Sequence, residues 1–142
     1  ADNPVIWPPA NPSPRRRDGL WQRTCLELFI STPTSQSYWE YNFCPSGDWN
    51  IYQFNGYRSG LEEQPGSNQP RMSNSQESGR FALTVVTQLP APLMNQHELS
   101  LGITAVVAQR SGQISHWALH HGGGEADFHR RDGLRLHLTL TH

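Results

Sequence analysis

With 142 residues, 16% of them charged and 35% hydrophobic, the chain has room for one domain with its own core and is short for two. Twelve Gly and eleven Pro exclude a helical bundle or coiled coil, and five Trp, four Tyr and five Phe supply aromatic area suited to strands. A net charge of −1 carries no electrostatic footprint for nucleic acid or an anionic membrane, and the eleven basic residues are all Arg, which removes Schiff-base chemistry and a phosphate-loop lysine.

Residues 1–18 form a Pro-punctuated, extended surface segment, because Pro fixes φ and removes backbone donors. The run Arg15-Arg16-Arg17 within it reads as solvated. The remainder, 19–142, reads as one domain. Thr24–Ser31, Tyr38–Cys44 and Trp49–Arg58 alternate with the period of two that marks strands. Pro45-Ser46-Gly47-Asp48 is a tight turn, and 59–79 reads as a long polar loop. Further strands are predicted over Arg80–Leu89, Glu98–Gln109, Ser115–His121 and Gly133–Leu140, with turns at Pro90–Pro92, Ser111-Gly112 and Gly122–Gly124. Leu93–Leu99 is the sole helix candidate. Seven strands without a helical period predict an all-β protein, an antiparallel β-sandwich of immunoglobulin-like or jelly-roll-like type. The longest central apolar run, Ala105–Ala108, is strand-sized, so no membrane span is predicted.

A hairpin register summing to 69 pairs Leu26 with Phe43, Leu28 with Tyr41 and Ile30 with Trp39 on an apolar core face. The opposite face then carries Glu27 beside Asn42, Phe29 beside Glu40 and Cys25 across from Cys44. Turning the next hairpin at Ser46-Gly47 adds Ile51 beside Asn42, Gln53 beside Glu40 and Trp49 beside Cys44. The outward face thus collects Glu27, Glu40, Asn42, Gln53 and Trp49. Carboxylates and amides around an indole suit a sugar, whose hydroxyls want such partners and whose C–H faces stack on aromatics; an ordinary solvated sheet face has the same pattern. Cys25 and Cys44 read as free strand thiols unless the protein is exported.

His121, Asp127 and His129 around the glycine turn could hold a metal, but the spacing is not diagnostic and a structural role is the first reading. Haem would need an axial pair, for which Met72 and Met94 are the available Met residues, without a supporting spacing. Glu27 and Glu40 could form a glycosidase pair, yet no cleft is evident, and no nucleophile elbow, phosphate loop or catalytic Cys motif occurs. Trp21 and Trp117 read as core residues. No cofactor is implied.

The run from Arg17 through Leu20-Trp21, Thr24-Cys25 and Glu27 to Phe29 is followed by Tyr38-Trp39-Glu40-Tyr41-Asn42-Phe43 and Pro45-Ser46-Gly47-Asp48-Trp49-Asn50. Gly56-Tyr57-Arg58-Ser59-Gly60, His116-Trp117-Ala118-Leu119 and Asp127-Phe128-His129-Arg130-Arg131-Asp132 come later. Across most of residues 17–140 this resembles the bacterial DOMON-like proteins related to family 9 carbohydrate-binding modules. The resemblance implies a β-sandwich that binds a carbohydrate without catalysis. It carries Glu27 and Asn42 over as ligand-binding residues, with Trp39 or Trp49 and Arg58 beside them. Some relatives bind calcium or haem; Asp2, Asp18 and Asp127 are too scattered for calcium, and no haem axial pair is found. Relatives usually begin with further strands, so the expectation includes a sandwich short of its first strands, with an open sheet edge. The alternative is an interaction subunit docking on a larger bacterial assembly through the arm at 4–17, the polar segment 62–78 or that edge. A soluble protein of the bacterial cytoplasm or periplasm is expected, the compartment being open.

Overall fold

The computed structural model describes residues 4–121 and 123–141, so Asp2 and Gly122 lie outside it. Alternating sequence becomes strand as expected. β1 (Cys25–Ser31), β2 (Tyr38–Phe43) and β3 (Trp49–Phe54) form a meander, and β7 (Glu98–Ala108) adds to the other side of β1. β4 (Glu62–Glu63) closes one edge; β8 (Ile114–Ala118) and β9 (Leu136–Thr139) share the far side of β7. The order is β4-β3-β2-β1-β7-β8, every pairing is antiparallel, and β9 completes a seven-stranded sheet. A second, two-stranded sheet, β5 (Arg71–Glu77) with β6 (Arg80–Val86), packs on one face. The molecule is an all-β antiparallel sandwich. No helix among the described residues is long and apolar enough to cross a membrane.

The β1–β2 register is the expected one, with Leu28 opposite Tyr41 and Ile30 opposite Trp39. The next hairpin is shifted by one residue. Trp49 stands opposite Phe43, Ile51 opposite Tyr41 and Gln53 opposite Trp39. The turn is the cause: Cys44 N–H bonds Asp48 O at 2.9 Å and Gly47 N–H bonds Cys44 O at 2.9 Å, so three residues are looped out, not two. Gly47 takes φ 99°, the left-handed bulge position that three-residue hairpin loops require. A one-residue shift inverts a strand, so Trp49, Ile51 and Gln53 join the core face and Asn50, Tyr52 and Phe54 join the polar one.

The core face carries Ile30, Trp39, Tyr41, Phe43, Trp49 and Ile51, covered by Met72, Leu83 and Val85 of the small sheet with Leu89, Leu93 and Leu99. Each such large buried side chain contributes about 1.5–3 kcal/mol of apolar transfer energy. The covering sheet corrects the reading of 59–79 as a loop, since β4 and β5 both lie in it. β5 escapes pattern analysis because Met72 is the sole apolar residue in RMSNSQE; its pairing with β6 comes from backbone bonds across the Ser78-Gly79 turn, with Gly79 at φ 73°. The helix is Ala91–Met94, not Leu93–Leu99; Leu99 belongs to β7.

The N-terminal segment is extended but fastened. Trp7 stacks on Phe81 with ring centroids 4.0 Å apart, and Ile6 N–H bonds Ala108 O at 2.8 Å. Arg16 is not solvated as expected. Its guanidinium donates to Asn50 Oδ1 (2.6 Å), Ile51 O (2.9 Å) and Gln64 O (2.6 Å) and lies 5.3 Å from the Trp49 ring centre. Those carbonyls lie near the β3–β4 edge, where Ile51 O also accepts from Gln64 N–H at 2.8 Å, and Arg16 reaches them along the parallel bridge between Arg16 and Trp49.

Candidate functional site

The other face of the large sheet is built from alternate residues. Pairing puts Glu27 (β1) beside Asn42 (β2) and Thr104 (β7), Glu40 (β2) beside Phe29 (β1) and Tyr52 (β3), and Val106 (β7) beside His116 (β8), all on one side. This face is not solvated. Residues 123–134 fold back over it, and Phe128 and Leu134 pack on Phe29, Tyr38 and Phe54. Tyr38 and Phe54 stack at 4.7 Å with planes 4° apart, and His129 meets Phe54 edge-on at 5.1 Å.

Long-range polar contacts hold this roof. Asp127 accepts from Arg58 Nη2 at 2.8 Å, from the Tyr57 hydroxyl and from His129 N–H at 3.1 Å. Against a desolvation that would raise it, these partners hold the Asp127 carboxyl below its ordinary value. Arg131 donates to the backbone oxygens of Thr32, Ser35 and Ser37. Arg58 has φ 49°, a costly left-handed conformation for a residue with a side chain. It sits in a tight turn closed by Ser59 N–H to Gly56 O (3.0 Å), and its own N–H bonds the Tyr38 hydroxyl at 3.0 Å.

Between sheet and roof lies a cavity of about 420 Å³ lined by Glu27, Glu40, Trp21, Phe54, Phe128 and His129, with Arg58 at its rim. Its volume falls in the range of small-molecule sites, roughly 300–1,000 Å³. Glu27 and Glu40 are 4% and 5% exposed. Glu27 Oε2 accepts from Thr104 Oγ1 at 3.0 Å, and Glu40 Oε1 accepts from the Asn42 amide at 3.1 Å. Burial, and then the charge of Glu40, push the Glu27 carboxyl up to about 8; burial pushes Glu40 up to about 7, with the Asn42 bond and Arg58 opposing. His129 Nε2 stands 3.7 Å from Glu40 Oε2, but burial and then the Arg58 charge lower its imidazole to about 4. At neutral pH it is therefore an uncharged neighbour and no counter-ion.

Of the residues predicted from sequence, Glu27, Glu40, Asn42 and Arg58 come together here. Trp39, Trp49 and Gln53 do not; they lie on the opposite face, where Trp39 Nε1–H bonds Gln64 Oε1 at 2.8 Å and Trp49 is buried under Arg16. The turn-driven shift displaced Trp49 and Gln53, and Trp39 follows from the apolar stripe of β2. Trp21 is no core residue: it is 37% exposed at the cavity, edge-on to Tyr52 at 5.7 Å. Trp117 is 64% exposed, because the small sheet does not extend over β8.

His121 lies along Phe128 at 5.9 Å, Asp127 is engaged by Arg58 and Tyr57, and His129 Nδ1 is 2.8 Å from the Tyr38 hydroxyl. Among the described residues no three His, Cys, Asp or Glu side chains converge as metal ligands. Met72 packs from the small sheet onto the core face and Met94 is exposed, so neither lines the cavity. Cys25 and Cys44 are buried free thiols. Phe54, Phe128 and His129 escaped prediction as cavity residues. Phe54 was visible in the alternation of β3, whereas Phe128 and His129 arrive across some seventy positions of sequence, as the bond between Arg58 and Asp127 shows. Comparison with family models, curated proteins and solved structures finds no match.

Proposed function

We propose that this chain is a non-catalytic binding domain for a carbohydrate or closely related polar ligand, held between the sheet and the 123–134 roof. One observation carries the reading: two buried carboxyl groups, Glu27 and Glu40, floor a cavity walled by Trp21, Phe54 and Phe128. Buried polar atoms that meet few protein donors favour a ligand with hydroxyls, and the aromatic walls favour its C–H faces.

The test is a glycan-array screen followed by calorimetry on the hits. Glu27→Gln and Trp21→Ala should abolish or weaken binding, whereas Trp117→Ala on the opposite face should leave it intact. Truncating Trp21 is expected to cost about 1–3 kcal/mol of affinity, as for other aromatic anchors. Silence from folded protein, or a hit indifferent to both cavity variants, overturns the reading.

A second reading, docking on a larger assembly, draws on Trp117 and Leu119, which stand exposed on the face that the small sheet leaves open. The arm at 4–17 and the segment 62–78 favour it less, since one is fastened to the sheet and the other forms β4 and β5. Native pull-down with wild type and Trp117→Ser separates the two readings: loss of a specific partner in the variant supports docking, and equal recovery removes it.

A further inference from the structure

We infer that the cavity ligand carries a protonated amine next to its hydroxyls, so that an amino sugar fits better than a neutral one; this rests on the binding reading above. Glu27 and Glu40 project from neighbouring strands into one cavity, two residues apart in register. Neither meets a permanent cation. The partner of Glu27 is a hydroxyl, and among the described residues its Oε1 accepts no hydrogen bond. The hydrogen-bond partner of Glu40 is an amide. Arg58, the guanidinium at the cavity, bonds Asp127 at 2.8 Å and acts on Glu40 through its charge alone, without a hydrogen bond or ion pair to it.

Buried charge is tolerated when paired and costly when alone. A neutral sugar leaves two options, both poor: one carboxylate remains ionised without a partner, or both stay protonated and lose their strength as acceptors. An ammonium group supplies the missing charge and up to three donors. Trp21, Phe54 and Phe128 add aromatic walls for the C–H groups of the sugar ring. Acidic sugars are disfavoured by the carboxyl pair.

The other titratable groups facing the pair do not substitute for the ligand. Cys25 and Tyr52, from the adjacent strand positions, are pushed up chiefly by burial and stay uncharged near neutrality, as does Tyr38. His129 is uncharged, Asp127 is bound to Arg58, and His116 enters from β8 at the cavity wall. Amine binding must then draw a proton off the carboxyl pair, since the ammonium favours its ionised form.

Calorimetry of the whole protein at pH 7, in two buffers of different ionisation enthalpy, tests this with glucosamine, glucose and N-acetylglucosamine. The expected result is binding of glucosamine about tenfold or more tighter than the other two, with net proton release and a preference that collapses in Glu40→Gln. Equal or tighter binding of the neutral sugars overturns the amine inference and leaves the sugar reading standing. Failure of all three sugars to bind overturns the amine inference together with its premise. The comparison among sugars uses wild-type protein, so it holds even if Glu40→Gln does not fold.

Discussion

Glu27 and Glu40 stand diagonally across the β1–β2 pair, each buried on the same face, and neither ion-pairs with an arginine. In the free protein this arrangement makes stability fall as pH rises. The unfolded chain releases these protons near 4.5, the folded one near 8 for Glu27 and near 7 for Glu40. Between those values the folded state binds more protons, so raising the pH favours unfolding. His129 acts in the opposite sense between about 4 and 6.5, where the unfolded chain is the one holding the extra proton. The cleanest window is therefore pH 6.5 to 8, where the carboxyl pair acts alone and a loss of about 2 kcal/mol is expected. Urea midpoints across that range measure it. Glu27→Gln should remove more than half of the slope, and an unchanged slope would contradict the buried-pair assignment.

The bonds at His129 point to one tautomer, in which every donor has an acceptor. Arg58 N–H donates to the Tyr38 oxygen, which leaves the Tyr38 hydrogen for His129 Nδ1. The ring proton then sits on Nε2, facing Glu40 Oε2. Long-range nitrogen–proton correlation spectra should report the Nε2–H form, unchanged from pH 8 down to about 5, with protonation only near 4. Tyr38→Phe leaves the buried Nδ1 without its donor and should cost about 1–3 kcal/mol. A midpoint near 6.5 in the wild-type spectrum would show that the roof does not exclude water from this ring.

Arg15 and Arg16 are adjacent in sequence and unlike in consequence. Arg16 satisfies two backbone oxygens and the Asn50 side chain and lies on Trp49, while the Arg15 side chain is exposed. Arg16→Ala removes three hydrogen bonds and the contact with Trp49, while Ile51 O, Asn50 Oδ1 and Gln64 O each keep one other donor, and should cost about 1–2 kcal/mol; Arg15→Ala should stay within about 0.5 kcal/mol. Thermal or urea unfolding of the pair checks it, and equal effects would mean that Arg16 is not an anchor.

The alternation of β1 and β2 made their register readable, and with it the meeting of Glu27, Glu40 and Asn42 on one face. The roof was not readable. Its closure depends on single long-range contacts, such as Arg58 to Asp127 and Arg131 to Thr32, which leave no periodic trace. The small sheet was hidden for a related reason: β5 is specified by its turn and its partner, not by its own apolar pattern. Trp49 and Gln53 were misassigned by one turn residue. Apolar residues on both faces of β3 (Trp49 and Ile51 against Tyr52 and Phe54) left its pattern indifferent to the slip.

That turn residue is Gly47, and the site depends on it. Its φ of 99° is strained for any residue with a side chain, and a Cβ there would lie 3.0 Å from Pro14 Cγ. The neighbouring Asp48 carboxylate meanwhile holds the arm through Asn11 Nδ2 (2.8 Å) and Arg15 N–H (3.1 Å). Gly47→Ala must either bear the strain and displace Pro14, or shorten the loop to two residues. The first course costs about 1–3 kcal/mol and keeps Tyr52 beside Glu40. The second would turn Gln53 and Trp49 toward the cavity and send Tyr52 and Phe54 into the core, inverting β3. Because the indole of Trp49 is packed under Arg16, the first is expected. A lowered urea midpoint with cross-strand contacts between Glu40 and Tyr52 preserved in NMR spectra would bear this out; contacts between Glu40 and Gln53 instead would show that the turn alone sets the register.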